Sequence, residues 1–226
     1  MKLDVAVLFS GGKDSTRTTE WCLKHHNLKY LVNFVPKNKE SYMLHSVNLD
    51  LTELSAKAME LPIKKFFVSG KKEKEVEEMK NYLSNLDIDA IACGGIASNY
   101  QKSRLEKISR ELGIKLLAPF WGVNEENFLK ETVSLGYKVM IVSVSSLGLE
   151  KDWLGRILDN EVIKELVILK NKYGLNIVFE GGEGETLVLD GPIFKRKIEI
   201  IDKEIVWDEK SKSGYVNIKK AKLLNK

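Results

Sequence analysis

Short apolar runs alternate with stretches in which apolar positions recur every three or four residues, and this alternation fills the first half of the chain. Val5–Phe9 reads as a buried strand, Tyr30–Val35 as a second with Leu31, Val32 and Phe34 supplying β-favouring bulk, and Ile63–Val68, Ala90–Cys93 and Lys115–Ala118 as three more. Between them the spacing predicts helices. One runs from about Ser15 to His25, and one spans Leu49–Leu61 and stops at Pro62. Glu73–Leu86 carries Val76, Met79, Leu83 and Leu86 on one face, and Ser98–Leu112 turns Leu105, Ile108 and Leu112 inward before Gly113 stops it. Strands alternating with helices predict an α/β fold with a doubly wound parallel sheet. Ligands of such sheets bind beyond the carboxyl ends of the strands. That rule puts Ser10–Ser15, the segment after Pro36 and the segment after Gly94 on one edge.

The pattern changes after Trp121-Gly122. Glu125–Leu135 reads as a helix opened by Asn124, Tyr137–Val144 as a strand, and Asn160–Tyr173 as a helix closed by Gly174. Then come β-like runs at 177–179, 186–189, 197–201, 205–207 and 215–218. The expectation is two domains, residues 1–122 and a smaller α+β domain of residues 123–226.

Composition narrows the function classes. Hydrophobic residues make up 43% and charged residues 30%, as in ordinary globular proteins. The net charge of +4 is too mild to demand a nucleic-acid partner, and the lysines at 219, 220 and 222 read as a solvated tail. Two cysteines without a CxxC spacing argue against a zinc site or a disulfide framework, and Cys22 and Cys93 read as small packed hydrophobes. The first apolar run is too short for a signal sequence and no stretch spans a bilayer, so the expected location is cytoplasmic.

The strongest chemical signal is Ser10-Gly11-Gly12-Lys13-Asp14-Ser15, between a strand and a helix start. Glycines let backbone approach a phosphate, and the free N–H groups of a helix start point at it. Lys13 adds a mobile positive charge. Asp14 would repel phosphate unless a cation lies between, which suits magnesium held by carboxylate and phosphate oxygens. The adjacent glycines exclude the Walker loop, which needs four residues between its first Gly and the Gly-Lys pair.

Other clusters follow. Glu40–Ser46, with Tyr42 and His45, crowds polar and aromatic groups into the loop after Pro36. Ser98 can cap the helix that carries Tyr100, Gln101 and Arg104, and Tyr100 and Arg104 share a face where a guanidinium can clamp phosphate or carboxylate. Leu147–Arg156 mixes two glycines, Trp153 and both charge signs. Glu180-Gly181-Gly182-Glu183-Gly184-Glu185-Thr186 sets three carboxylates among glycines just before a strand, a costly arrangement without a cation. It suits ammonium, a cationic substrate or a metal.

The SGGKDS run resembles the PP-loop of ATP pyrophosphatases. Glu40-Ser41-Tyr42-Met43 with His45, Ser98-x-Tyr100-Gln101 with Arg104, Leu149-x-x-x-Trp153-Leu154-Gly155-Arg156, and Gly182-Glu183-x-Glu185-Thr186-Leu187-Val188-Leu189-Asp190 with Pro192 make the chain similar to the diphthine–ammonia ligase branch of that superfamily. In that family the position of Gly184 is usually aromatic, that of Phe179 small, and those of Arg17, Thr18 and Thr19 more apolar.

The resemblance implies a Rossmann-like, adenine nucleotide alpha hydrolase-like (HUP) fold. It implies activation of a diphthine carboxylate on elongation factor 2 by ATP, with release of pyrophosphate, then amide formation from free ammonium with release of AMP. It implies that Ser10, Gly11, Gly12, Lys13, Asp14, Ser15, Gly94 and Gly95 bind ATP, with Asp14 placing Mg2+. It further implies that Tyr42, His45, Ser98, Tyr100, Gln101, Arg104, Glu180, Glu183, Glu185 and Thr186 face the acceptor, with Lys13, Asp14, Glu183 and Glu185 closest to the chemistry. A homodimer is compatible with this reading. Two other readings compete: a tRNA-modifying ATP pyrophosphatase, opposed by the lack of paired cysteines and a basic patch, and a nucleotide-binding regulatory module, opposed by the pairing of Lys13 with Asp14.

Overall fold

Five parallel strands form the first sheet in the order β3-β2-β1-β4-β5, as seen in a computed structural model that describes residues 1–37, 48, 51–71, 73–96 and 99–226. These strands are β1 (Asp4–Leu8), β2 (Asn27–Pro36), β3 (Ile63–Val68), β4 (Ala90–Ala92) and β5 (Lys115–Leu117). Helices α1 (Lys13–His25), α2 (Leu51–Met59), α3 (Lys74–Leu83) and α4 (Asn99–Leu112) alternate with them. Helix α1 begins at Lys13, two residues before the expected start. The chain divides into two compact units. The first comprises Met1–Ser10, Asp14–Lys57 and Leu61–Trp121; the second comprises Gly11–Lys13, Ala58–Glu60 and Gly122–Lys226.

The parallel sheet explains why β1 reads as an unbroken apolar run. A parallel strand is covered on both faces, so Val5, Ala6 and Val7 are all buried and none alternates outward. Val5 pairs with Leu28 of β2 and with Ala90 of β4. Strand order reverses beside β1, because the chain builds β2 and β3 on one side and then β4 and β5 on the other. The carboxyl ends of β1 and β4 are therefore the topological switch point. On one face Val76, Met79 and Leu83 of α3 and Leu105 and Ile108 of α4 pack with Ala6, Val32, Phe34 and Ile91. Truncating a side chain as enclosed as Leu83 to alanine costs about 2–5 kcal/mol.

The polar residues of α1 are buried rather than solvated: Arg17, Thr18, Thr19 and Glu20 are all at most 5% exposed. Three of them, Arg17, Thr19 and Glu20, have partners within the same unit, whereas Thr18 Oγ1 is buried without a hydrogen-bond partner. Arg17 Nε lies 3.3 Å from Glu20 Oε2, Thr19 Oγ1 donates to the Ser15 carbonyl at 2.8 Å, and the Arg17 guanidinium stands 5.4 Å from the Phe120 ring centroid. Cys22 is fully buried on the same helix, and desolvation pushes its thiol up to about 12.

The second unit holds an antiparallel sheet, order β7-β6-β9-β8, built from β6 (Lys138–Val144), β7 (Gly184–Asp190), β8 (Arg196–Asp208) and β9 (Ser213–Asn225). Its helices are α5 (Glu125–Ser134) and α6 (Asn160–Tyr173). Asn124 caps α5 by accepting from the Asn127 N–H at 3.0 Å, and Asp159 caps α6 by accepting from the Val162 N–H at 2.8 Å. Gly174 ends α6 at φ 73, a left-handed turn that favours glycine.

Three expectations are corrected here. The runs at 197–201 and 205–207 are one strand, β8, with irregular pairing around Asp202. The lysine-rich end is no tail: it lies in β9, where Lys219 pairs with Glu204 at 2.7 Å and Lys222 with Glu199 at 3.0 Å. Residues 177–179 form a turn, because Asn176 captures their backbone before a strand can pair.

Candidate functional site

Within the first unit, the carboxyl end of β1 runs into Ser10, and Asp14 and Ser15 open the main body of α1. The Ser10 N–H donates to Ser15 Oγ at 3.2 Å, and the two hydroxyls lie 3.3 Å apart. Gly94, just past β4, faces this helix start. A Cβ on Gly94 would stand 2.6 Å from the Asp14 carbonyl carbon and 2.8 Å from the Ser15 nitrogen. The glycine after β4 is thus required by the loop–helix junction itself. Gly95 is different: its nearest neighbour would be the Trp121 ring at 3.9 Å, so space remains there.

Within the second unit, Gly11 adopts φ 82 and its carbonyl accepts from the Val188 N–H of β7 at 2.9 Å. The Lys13 N–H donates to Thr186 Oγ1 at 3.2 Å. Its ammonium donates to the Val178 carbonyl at 2.6 Å and stands 5.8 Å from the Phe179 ring centroid. Lys13 is 2% exposed, so its charge is held in a nearly dry setting where it acts more strongly than in water.

The acidic loop is shaped by its own carboxylate. Glu183 accepts from the Gly181 N–H at 2.8 Å and from the Asn176 N–H at 3.3 Å, and its backbone carbonyl accepts from the Ser145 N–H at 2.7 Å. Glu180 and Glu185 are half-buried, and Glu185 lies on β7 opposite Ser143. Thr186, next along the strand, is buried.

Arg104 on α4 stacks on Tyr100, its guanidinium carbon 3.5 Å from the ring centroid, and donates to the Tyr100 carbonyl at 3.2 Å. It also forms an ion pair with Glu73. The guanidinium expected to clamp an anion therefore holds a carboxylate of its own chain. Gln101 is half-buried on the same helix. Tyr42, His45 and Ser98 lie outside the described residues. In the segment of Leu147–Arg156, Trp153 is buried in a single 3-10 turn, and Arg156 stacks on it while holding Glu165 through two bonds of 2.8 and 2.5 Å.

One residue at the centre of this geometry was not singled out by the sequence reading. Asn176 Oδ1 accepts from the Val178 N–H at 3.0 Å and the Glu180 N–H at 3.4 Å, its carbonyl accepts from the Phe179 N–H at 3.0 Å, and its amide nitrogen donates to Glu125 at 3.2 Å. Its signal was present: an asparagine two residues past a helix-ending glycine, able to bond the backbone two residues on.

The residue types fit nucleotide binding: a glycine loop at a helix start, a buried lysine and one carboxylate in the first helical turn. Among the described residues no group of three or more His, Cys, Asp or Glu side chains is gathered for a metal. Magnesium bound to a nucleotide needs no such cage, since phosphate oxygens and water supply most of its ligands. Among the described residues no helix is long and apolar enough to cross a membrane.

Comparison with known proteins gives two family matches. Residues 2–116 match the diphthamide synthase N-terminal domain and residues 124–224 match the diphthamide synthase C-terminal domain. A human protein named diphthine–ammonia ligase is 34% identical over 89% of this chain and 84% of its own length. A protein of the same name from Schizosaccharomyces pombe is 32% identical over 96% of this chain but only 39% of its own. A solved structure from Methanocaldococcus jannaschii, described as a predicted subunit of tRNA methyltransferase, is 17% identical over 84% of this chain and 97% of that one, at a TM-score of 0.47.

Proposed function

Because the chain belongs to the diphthamide synthase family, we propose that it is an ATP-dependent diphthine–ammonia ligase acting on elongation factor 2. The carboxylate of diphthine attacks the α-phosphate of ATP and expels pyrophosphate, giving an acyl adenylate. Ammonia then attacks the acyl carbon and AMP leaves, giving the amide of diphthamide. The observation that carries this reading is the match of both halves of the chain to the two domains of one enzyme family. The tRNA-modifying reading is not favoured by these matches.

The residues take roles that follow from their chemistry. The Gly11 and Gly12 backbone and the Ser10 and Ser15 hydroxyls cradle the β and γ phosphates. Lys13 offsets the charge that grows on departing pyrophosphate, where electrostatic stabilisation acts. Asp14 would hold Mg2+, which would supply charge neutralisation at the phosphates. Gly94 keeps the Asp14–Ser15 peptide seated, and Gly95 leaves room beside β4 for the nucleotide. Glu180, Glu183, Glu185 and Thr186 line the acceptor side, with Glu183 and Glu185 facing the trimethylammonium group or incoming ammonium. Tyr100, Gln101, Tyr42, His45 and Ser98 complete the acceptor contacts, and Arg104, paired with Glu73, supports Tyr100. A carboxylate of the acidic loop takes the proton that ammonium must lose before it attacks.

The test is AMP and pyrophosphate release from ATP with magnesium and ammonium, with and without diphthine-bearing elongation factor 2. The expected result is AMP and amide in equal amounts only with the acceptor, and both lowered at least about 100-fold, but still measurable, in Lys13→Ala. AMP formation that ignores this acceptor would retain the nucleotide chemistry and overturn the acceptor assignment.

A further inference from the structure

We infer that Asn176 is a positioning residue for Lys13, acting through the Val178 carbonyl; the inference deepens the proposed function by resting on Lys13 as the cation that meets the leaving group. A trans peptide unit points its C=O and its N–H in opposite directions. The unit joining Val178 to Phe179 has its N–H bound to the Asn176 carbonyl at 3.0 Å, so its C=O faces the other way, where it accepts from the Lys13 ammonium at 2.6 Å. The asparagine side chain locks the same unit from both sides, taking the Val178 N–H at 3.0 Å and the Glu180 N–H at 3.4 Å. Phe179 adopts φ 65 between them, a left-handed conformation that a non-glycine residue holds only when its surroundings impose it.

Asn176 is itself held. Its amide nitrogen donates to Glu125 Oε1 at 3.2 Å, and Glu125 Oε2 accepts from Lys170 at 2.8 Å. The lysine is anchored at its other end as well, by the bond from its N–H to Thr186. All these groups belong to the second unit. The ammonium therefore stands where Asn176 sets the carbonyl, and a displacement of about 1 Å at a reacting charge can cost up to 100-fold in rate.

Two readouts test this in the full-length protein. In the first, amines are acylated without nucleotide and quantified by mass spectrometry. Lys13 is expected to react about tenfold more slowly than the exposed Lys164, and Asn176→Ala removes most of that protection. Ile163→Ala, which destabilises the same unit from within α6, leaves Lys13 protected. In the second, Asn176→Ala lowers the kcat for AMP release about 10–100-fold with the KM for ATP nearly unchanged. The same substitution in a Lys13→Ala background has little further effect, as coupled residues require. Lys13 protected as before in Asn176→Ala, or equal losses in both backgrounds, overturns the inference. Should the wild-type protein make no AMP, the functional reading fails while the labelling still decides the position of Lys13.

Discussion

Gly94 sits against the Asp14–Ser15 peptide so closely that a methyl group there would lie 2.6 Å from the Asp14 carbonyl carbon. The neighbours are backbone atoms at a helix start and have no rotamer to change, so the helix start must move. Gly94→Ala is expected to lower stability by about 1–3 kcal/mol, the usual cost of overpacking. AMP formation should fall with it by about 10–100-fold, because the displaced groups are the ones assigned to phosphate and metal. Gly95→Ala, with its nearest neighbour at 3.9 Å, should change the melting midpoint far less. Equal shifts in midpoint for the two variants would refute the close-packing argument.

Cys22 offers a test of how tightly α1 is enclosed. Burial raises its thiol from an ordinary 9.0 to about 12. The folded value lies above the unfolded one, so the stabilisation is complete below pH 9 and is lost as pH rises from there toward 12. Stability should therefore decline over that window, and Cys22→Ala should make the decline shallower. In native protein at pH 8 the Cys22 peptide should resist a thiol reagent until denaturant unfolds the chain; rapid labelling of that peptide without denaturant would contradict the enclosure.

The Arg156–Glu165 pair makes a weaker prediction with a definite sign. The hydrogen bonds from Arg156 hold the Glu165 carboxyl below its ordinary 4.5. The stabilisation is present above 4.5 and is lost as pH falls through the lower folded value. Both side chains are partly exposed, at 27% and 47%, so solvent screening limits the pair to roughly 0.2–1 kcal/mol at neutral pH. Glu165→Gln should be less stable than the parent at pH 7 by that amount, and the gap should narrow as the pH falls below 4.5. A gap that stays constant through acid titration of the carboxyl would show that the substitution acts through something other than this charge.

The first unit was largely legible because its signals are local. The apolar runs of β1 and β2, the helical spacing of α3 and α4, and the glycine loop each lie within about fifteen residues and agree with one another. What escaped was set by partners distant in sequence. Arg104 looks available along α4, yet Glu73 lies 31 residues earlier and takes its guanidinium. The lysines of β9 look like a tail because their counterions, Glu199 and Glu204, stand on the opposing strand. Residues 177–179 carry three β-favouring side chains, and propensity lost to the backbone bonds of one preceding asparagine. Arg17, Thr18 and Thr19 broke the expected apolar face of α1, and the structure buries all three, with Glu20 beside Arg17 and the Ser15 carbonyl accepting from Thr19.

Phe179 allows backbone strain to be separated from packing. Its φ of 65 lies in the left-handed region, which costs a residue with a Cβ about 1–2 kcal/mol. Its ring is buried, and the position a Cβ on Gly184 would take is 3.4 Å from that ring. Removing the ring loses packing, for which Phe→Ala substitutions cost about 3–5 kcal/mol. Phe179→Ala bears that loss and keeps the strain. Phe179→Gly bears the same loss but relieves the strain. The glycine variant should therefore be the more stable of the two by about 1 kcal/mol, the reverse of the order at an ordinary helical or extended position, where glycine is the costlier residue. Both should be less stable than the parent, since packing outweighs strain. Denaturant midpoints of the three proteins decide the matter: an alanine variant as stable as the glycine variant would mean that residue 179 leaves the left-handed region once the ring is gone, and that the ring itself, resting against Gly184, imposes the conformation.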